Sequence, residues 1–454
     1  MPLSTIILAA GQGTRMRSRL PKVLHELGGK PLLGHVVETA MSLDGGTIHV
    51  VYGHVGKQVR DVLSHCPVSW VEQAEQLGTG HAVAQALPGI PDQDTVLVLY
   101  GDVPLIRSET LQHLQEAAGP DTVALLTAHL EHPRGYGRIL RDEQGHVVGI
   151  VEEKDASTQQ RLISEINTGF LAANSGRLKH WLEGLDNSNA KGEYYLTDII
   201  ARAAADGVTI QTIAPGSEEE IHGINDRIQL ADQERRYQRR QAEHFMKEGV
   251  TLIDPGRFDL RGSLEVGRDV IIDVNVVLEG DVYLGDGVAL GPNTVIRNTH
   301  IEEGAMILSH CHIDGAIIGA GARVGPFARI RPETELATEA QVGNFVEIKK
   351  TKVGKGSKIN HLSYVGDTTV GSKVNIGAGT ITCNYDGANK HHTIIGDGAF
   401  IGSDTQLVAP VEVGAGATIG AGSTITKDAP PNELTLSRVP QTTRNGWKRP
   451  QKKK

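Results

Sequence analysis

VGRDVIIDVNVVLEGDVYLGDGVALGPNTVI, residues 266–296, decides how the second half of the chain is built. Aliphatic residues stand at Val266, Ile272, Leu278, Leu284, Leu290 and Ile296, six apart each time. Four residues after the first five of them come Val270, Val276, Val282, Val288 and Thr294. A period of six matches neither the 3.6 of a helix nor the simple alternation of a strand. It matches a chain that turns a corner after every short strand, three strands to a coil. The aliphatic residues then stack inside a triangular prism at the ~4.8 Å spacing of neighbouring strands. Glycine follows the aliphatic residue in IGAGAR (318–323), VGKGSK (353–358) and VGAGAT (413–418), where a corner needs backbone freedom.

Further along, the period loosens between 297 and 350 and recovers at Val353, Ile359 and Val365. It slips by one to Val370 and Ile376, then runs through Ile395, Ile401, Leu407, Val413, Ile419 and Ile425. The segment TCNYDGANKHHT, within 381–394, interrupts it and is expected to leave the prism as a loop on one face, a preferred place for function. Upstream, DRIQLADQERRYQRRQAEHFMKE (226–248) has no Gly or Pro and reads as one exposed linker helix. Before it, short β-rich runs alternate with helix-like stretches: TIILAA, a helical segment near 31–42, TIHVVYG, TVLVLYGD and DTVALLTAHL. That rhythm predicts βαβ units around a mostly parallel, Rossmann-like sheet. Three segments result: 1–225, an α/β domain; 226–248, the linker; and 249–454, the hexapeptide-repeat domain with a C-terminal tail.

Composition agrees with this division. A chain of 454 residues exceeds what one hydrophobic core serves, since cores stop growing at about 250–300 residues. Glycine, 54 residues, is well above the usual ~7%, and aromatics make up only 4%, as many tight turns and a small-aliphatic core require. The net charge of −9 argues against coating nucleic acid, which needs a positive surface. Three widely spaced cysteines, Cys66, Cys311 and Cys383, form no C-x-x-C pair and read as reduced thiols of a cytoplasmic protein. No stretch reaches the roughly 18 apolar residues of a membrane helix, and MPLSTIILAA lacks the basic start of an export signal, so no membrane insertion is expected. The basic tail KRPQKKK (448–454) reads as a solvated end.

ILAAGQGTRM (7–16) closes an apolar run with a glycine-rich loop. Such a loop between a strand and a helix cradles phosphate, because backbone N–H groups converge there. The spacing is neither the dinucleotide fingerprint nor a Walker loop, and alone it would pass for an ordinary turn. Arg15 and Lys22 place two cations within reach of it, which suits a nucleoside triphosphate. QAEQLGTGHA brings Gln73, Gln76, Gly78 and Thr79 into one loop apt for reading a base edge. LVLYGDVPL ends a strand at Asp102, where a carboxylate faces the ligand crevice and offers Mg²⁺ a hard oxygen. In the prism, Arg331, Lys349, His361, Tyr364 and Lys390 mark an anion-binding crevice holding a base. An amine acceptor must lose a proton before attacking a thioester, a task for a histidine with a pKa near the working pH, and His361 is the candidate. The adjacent His391 and His392, with no other ligand at metal spacing, read as loop.

LAAGQGTRM with PK, then LGTGHA and YGDVPL, resemble the sugar-phosphate nucleotidyltransferases. With GYGRI, EEKDA and INTG, the set is most similar to the bifunctional family of N-acetylglucosamine-1-phosphate uridylyltransferases and glucosamine-1-phosphate acetyltransferases, which make precursors of the bacterial cell wall. The resemblance covers nearly the whole chain and implies a left-handed parallel β-helix for the prism. It implies that Leu8, Ala10, Gly11, Gln73, Gly78 and Thr79 hold uridine, that Arg15 and Lys22 neutralise phosphates, and that Tyr100 adjoins the sugar nucleotide. Gly137, Glu152 and Asn167 would grip the N-acetyl sugar, and Asp102 with Asn225 would ligate Mg²⁺. In the prism, Arg331, Lys349, Tyr364 and Asn375 would bind glucosamine phosphate, with Lys390 assisting. Ala378, Asn384, Tyr385, Ser403, Ala421 and Arg438 would serve acetyl-CoA, with Asn384 and its loop also orienting the site. The implied partners are UTP, glucosamine 1-phosphate, acetyl-CoA and two further copies of the chain in a homotrimer. Two rivals stand beside this reading: a nucleotidyltransferase of another sugar whose prism only assembles or regulates it, and a trimeric scaffold without catalysis.

Overall fold

The structure is a computed structural model that describes residues 2–43, 45–53 and 56–452. One compact unit ends at Tyr237 and a second begins at Gln238. That division falls inside the helix Arg227–Lys247, within the stretch 226–248 read as a linker helix and not at residue 225.

In the first unit, nine strands form one sheet: β1 (Leu3–Leu8), β2 (Gly46–Tyr52), β3 (Ser69–Glu72), β4 (Thr95–Tyr100), β5 (Thr122–His129), β6 (Gly137–Arg141), β7 (Val147–Val151), β8 (Glu165–Asn174) and β9 (Thr209–Ile213). The main order is β9-β5-β8-β4-β1-β2-β3, with β6 on β8 and β7 on β6. β1 runs parallel to both β2 and β4, and every residue of LSTIIL is buried, as expected of a central strand covered on both faces. The sheet is mixed rather than nearly all parallel: β8, which carries INTG, lies antiparallel to both β4 and β5. A run of alternating or continuous apolar residues specifies a strand but not its direction, so the sequence pattern had no access to this. The glycine loop follows β1, the 73–79 loop follows β3 and Asp102 follows β4, so all three leave the same carboxyl edge. Open α/β sheets bind ligands at that edge.

The second unit is a prism of parallel strands, coil stacked on coil. Its core holds Ile272, Leu278, Leu284, Leu290 and Ile296, and the corner residues Val270, Val276, Val282, Val288 and Thr294 are buried beside them. The period does not in fact loosen between 297 and 350. Ile301, Ile307, Ile313, Ile318, Val324, Ile330, Leu336, Val342 and Ile348 continue the buried series, with single steps of five at 296–301 and 313–318. Further five-residue steps follow at 348–353 and 365–370. Coils of seventeen residues are thus interspersed with coils of eighteen: Ala289 pairs with Met306 and Met306 with Arg323, but Arg323 with Gln341. The shortened corners place Asn298, Lys350 and Asp367 in the left-handed region, at φ 44°, 46° and 49°. Asparagine and aspartate tolerate that conformation better than most residues. The coil that carries the insertion is longer, since Asn375 pairs with Phe400.

Candidate functional sites

A cavity of about 730 Å³ opens at the carboxyl edge of the sheet. Leu8, Ala10, Gly11 and Arg15 line it from the glycine loop, and Gln73, Gly78 and Thr79 from the loop after β3. Lys22, Tyr100, Asp102 and Asn225 complete the lining. The two loops are tied together: Gln76 Nε2 donates to the Ala10 carbonyl at 2.7 Å, so this amide braces the loop. Gln73 Nε2 donates to the Gly78 carbonyl at 3.1 Å and lies 3.1 Å from His81 Nδ1, so this amide holds the 73–79 loop together. Gly78 has φ 116°, and a Cβ there would stand 2.6 Å from the Tyr194 carbonyl oxygen. Gly78→Ala is therefore expected to cost about 1–3 kcal/mol of local strain and to raise the KM for UTP. Kinetics in UTP with a melting curve test this, and an unchanged KM would refute a role for the loop shape.

Lys22 is held by a 3₁₀ turn, Lys22–Leu24, against which Gly13 packs closely: at φ 59°, a Gly13 Cβ would lie 2.6 Å from the Lys22 Cβ. Its ammonium donates to Asp102 Oδ2 and, at 3.2 Å, to Asn225 Oδ1. The two oxygens predicted to ligate magnesium therefore already converge on one cation. Hard carboxylate and amide oxygens at one point fit Mg²⁺, which keeps waters or takes phosphate oxygens for the rest of its shell. Among the described residues no group of three or more His, Cys, Asp or Glu could hold a metal, so such a shell would depend on water and substrate.

Gly137, Glu152 and Asn167 also come together. Asn167 pairs with Gly137 across β8 and β6, and a Cβ on Gly137 would lie 3.6 Å from Glu152 Oε1. Thr197 Oγ1 donates to that same Glu152 oxygen at 3.1 Å. The motifs GYGRI and EEKDA are brought together by the β6–β7 ladder and tied by Arg138, which is 2% exposed and bonds Glu153 at 2.8 Å and the Tyr136 carbonyl. Burial of the Tyr100 hydroxyl, with Glu152 and Asp102 near it, pushes the phenol above its ordinary range.

In the prism, His361 closes the strand Lys358–His361 at a corner. Its register partner is Asn344, whose Oδ1 lies 3.0 Å from His361 Nδ1. The register carries this corner downward: Ile359 pairs with Ile376, Ile376 with Ile401 and Ile401 with Ile419. His361, Ala378, Ser403 and Ala421, each two residues beyond those partners, thus stack in successive coils along one edge. Arg438 joins them, since its Nη1 donates to the Ala421 carbonyl at 2.9 Å. Asn375 opens the strand Asn375–Ile376, three residues before Ala378, between Lys358 and Phe400.

A second cluster lies on the next face. Arg331 pairs with Glu347 at 2.8 Å. Lys349 lies beside Lys390 and near Arg331, and this contact with Lys390, before burial, pushes the Lys349 pKa down. Two ammoniums and a guanidinium gathered in this way favour an anion among them. Asn384 is buried and donates to Asp367 Oδ2 at 2.5 Å, with the Tyr364 hydroxyl at 3.5 Å, so it stands with the cationic cluster rather than along the Ala378 edge. The inserted loop is compact: the Tyr385 hydroxyl donates to the Gly387 carbonyl at 2.6 Å, and His391 Nε2 meets Asp386 Oδ2 at 2.7 Å. Backbone N–H groups of Asn389 and Ala388, with His391, hold the Asp386 carboxyl well below its usual range. Asn344, Glu347 and Asp367 went unnoticed in the sequence; their signal is a separation of one coil from His361, Tyr364 and Asn384, visible only once the coil length is known.

The fold and the two sites define a nucleotidyltransferase domain joined to a hexapeptide-repeat β-helix. Residues 5–165 match the MobA-like NTP transferase domain, residues 392–427 the bacterial transferase hexapeptide (six repeats), and residues 260–346 the GMPPB C-terminal domain. The chain is 58% identical to the bifunctional protein GlmU of Ralstonia nicotianae over 452 residues, covering 100% of this chain and 99% of that protein. It is 58% identical to the GlmU of Methylococcus capsulatus, with 100% and 98% covered, and 57% identical to that of Stutzerimonas stutzeri, with 100% of both covered. The chain belongs to the GlmU family. It is a bifunctional enzyme with uridylyltransferase and acetyltransferase activity. The scaffold reading and the single-function reading fall away. Among the described residues no helix is long and apolar enough to cross a membrane.

Proposed function

We propose that the prism acetylates glucosamine 1-phosphate from acetyl-CoA and that the first unit then couples the N-acetyl product to UTP. The observation that carries the second step is that one cavity is lined by the glycine loop, the 73–79 loop, Lys22, Asp102 and Asn225 together. Uridine lies against Leu8, Ala10, Gly11, Gln73, Gly78 and Thr79, and the sugar against Tyr100, Gly137, Glu152, Asn167 and Asn225. An oxygen of the sugar phosphate attacks the α-phosphorus of UTP, and the bond to the β-phosphate breaks to release pyrophosphate. That oxygen is already ionised at neutral pH, so the chain's work is alignment and charge neutralisation by Arg15 and Lys22. Asp102 and Asn225 would hold Mg²⁺, which supplies further neutralisation of phosphate charge.

For acetyl transfer, an Asn344 amide oxygen can only accept a hydrogen bond, so His361 carries its proton on Nδ1 and keeps the Nε2 lone pair for the substrate amine. The amine attacks the thioester carbonyl, Nε2 takes its proton, and the CoA thiolate leaves. Arg331, Lys349, Tyr364, Asn375 and Lys390 hold the sugar phosphate. Asn384 and Tyr385 shape the site, and acetyl-CoA follows the edge formed by Ala378, Ser403, Ala421 and Arg438. The reading places the enzyme in the cytoplasm, in the supply of cell-wall precursors, with no nucleic-acid partner. Paired assays test it: CoA release from acetyl-CoA and glucosamine 1-phosphate, and pyrophosphate release from UTP, N-acetylglucosamine 1-phosphate and Mg²⁺. Pyrophosphate without CoA would leave the prism as an assembly domain only.

The reading includes a homotrimer formed through the prisms. Beside the His361 edge, Phe327, Phe345 and Leu362 are 46%, 57% and 65% exposed, and the Phe327 ring stacks on Phe345 at 5.5 Å and on His310 at 4.7 Å. A contiguous apolar ladder of this kind marks an interaction surface. Phe345→Glu is expected to convert trimer to monomer in light scattering and to lower acetyl transfer at least tenfold, by burying a charge against an apolar partner, while pyrophosphate release persists. An unchanged mass would remove this surface from the interface.

A further inference from the structure

Beside the nucleotide cavity lies a second chamber of about 300 Å³, lined by parts of the YGDVPL, GYGRI and INTG motifs and by Arg134, a residue to which the sequence reading gave no role. It shares Arg15, Tyr100, Asp102 and Asn225 with the first cavity, and Arg134, Tyr136 and Gln229 line it without lining the first. None of the uridine-loop residues Gln73, Gly78 and Thr79 lines it. The loop bearing Arg134 is held in place: Gly135 N donates to Glu153 Oε2 at 3.2 Å, Tyr136 N donates to the Pro133 carbonyl at 3.3 Å, and the buried Arg138 grips Glu153 at 2.8 Å.

The charge balance of the chamber favours an anion. Among the described residues neither the Arg15 nor the Arg134 guanidinium has an ion-pair or hydrogen-bond partner, whereas the Asp102 carboxylate is occupied by Lys22. Glu218, the acid nearest the Tyr136 hydroxyl, is engaged by His222 at 3.3 Å, and His222 Nδ1 in turn lies 3.5 Å from that hydroxyl. Two free guanidiniums therefore face one small space that opens onto the reacting centre. Guanidinium forks bind phosphate through paired charge-assisted hydrogen bonds.

We infer that this chamber is a second anion subsite, which takes a phosphate group as it joins or leaves the reacting centre, with Arg134 as its outer ligand. The inference rests on the uridylyl-transfer reading. Two phosphates have this chemistry: the departing pyrophosphate, and the phosphate of the arriving sugar.

The test uses the full chain with Arg134→Gln and Arg134→Glu. Wild type must first release pyrophosphate from UTP and N-acetylglucosamine 1-phosphate; if it does not, the uridylyl reading itself has failed. KM values are then measured for pyrophosphate in the reverse reaction and for sugar phosphate and UTP in the forward one, with calorimetric binding of pyrophosphate alone as a metal-free check. Arg134→Glu is expected to raise one of the first two constants about tenfold or more, the scale of one lost charge-assisted contact, with Arg134→Gln between it and wild type. A rise for pyrophosphate alone assigns the chamber to the leaving group, and a rise for sugar phosphate alone assigns it to the arriving one. Changes below about twofold in both constants, or an equal rise in the KM for UTP, would overturn the inference. Acetyl transfer by the same variants controls for folding.

Discussion

His361→Ala is expected to release CoA from acetyl-CoA and glucosamine 1-phosphate about 10²–10⁴-fold more slowly than wild type, the range that a positioned general base supplies. The substituted side chain is exposed at a prism corner, and its only hydrogen bond among the described residues is to Asn344. Truncation therefore removes no core packing, and melting temperature and the mass in solution should stay within error of wild type. Pyrophosphate release should also persist, because nothing in the Lys22 cavity depends on His361. A variant that kept most of its CoA release would transfer the base role to another group. The acetyl-CoA edge would then need a different proton acceptor, and none of Ala378, Ser403 and Ala421 can supply one at neutral pH.

Lys22→Ala has the opposite profile, with pyrophosphate release falling about 10²–10³-fold and acetyl transfer intact. Among the described residues the ammonium is the one side-chain group hydrogen-bonded to both Asp102 and Asn225, and the proposed reaction has it neutralise phosphate charge. Its loss leaves the Asp102 carboxylate, largely shielded from water, without a cationic partner. Added Mg²⁺ should accordingly raise the melting temperature of the variant more than that of wild type, because the two oxygens are no longer shared with the ammonium. Normal UDP-sugar synthesis by Lys22→Ala would refute the role, and an identical magnesium response in both proteins would separate the metal from Asp102 and Asn225.

Much of the architecture was legible because it rests on short-range regularity. The helix at Leu32–Met41 and the strands at Leu3–Leu8, Gly46–Tyr52 and Thr95–Tyr100 fall where the alternation of apolar and turn residues put them. The misreading of 297–350 has a definite cause. A rule of strict sixes cannot see a corner that closes with one residue fewer, and such a corner depends on single residues such as Asn298 accepting φ 44°. The antiparallel course of Glu165–Asn174 was hidden for a different reason, since direction is set by the hydrogen-bond partners on either side.

By itself, the sequence determined that a prism of stacked coils follows an α/β domain, and that a glycine loop, two cations and a carboxylate supply phosphate chemistry. These properties depend on the period of the backbone and on residues within a loop or two of each other. Tertiary structure alone decided which groups meet. Lys22 finds Asp102 80 positions away and Asn225 203 positions away, because three loops leave one edge of the sheet. His361 finds Asn344, and Asn384 finds Asp367, because both pairs lie 17 residues apart, one turn of a coil whose length is fixed by ladder hydrogen bonds and left-handed corners. Lys390 reaches Lys349 only because the inserted segment folds back on itself between Tyr385 and Lys390. A side chain's reach is a few ångströms, so convergence on that scale is settled by register and corner geometry, which no spacing rule along the chain contains.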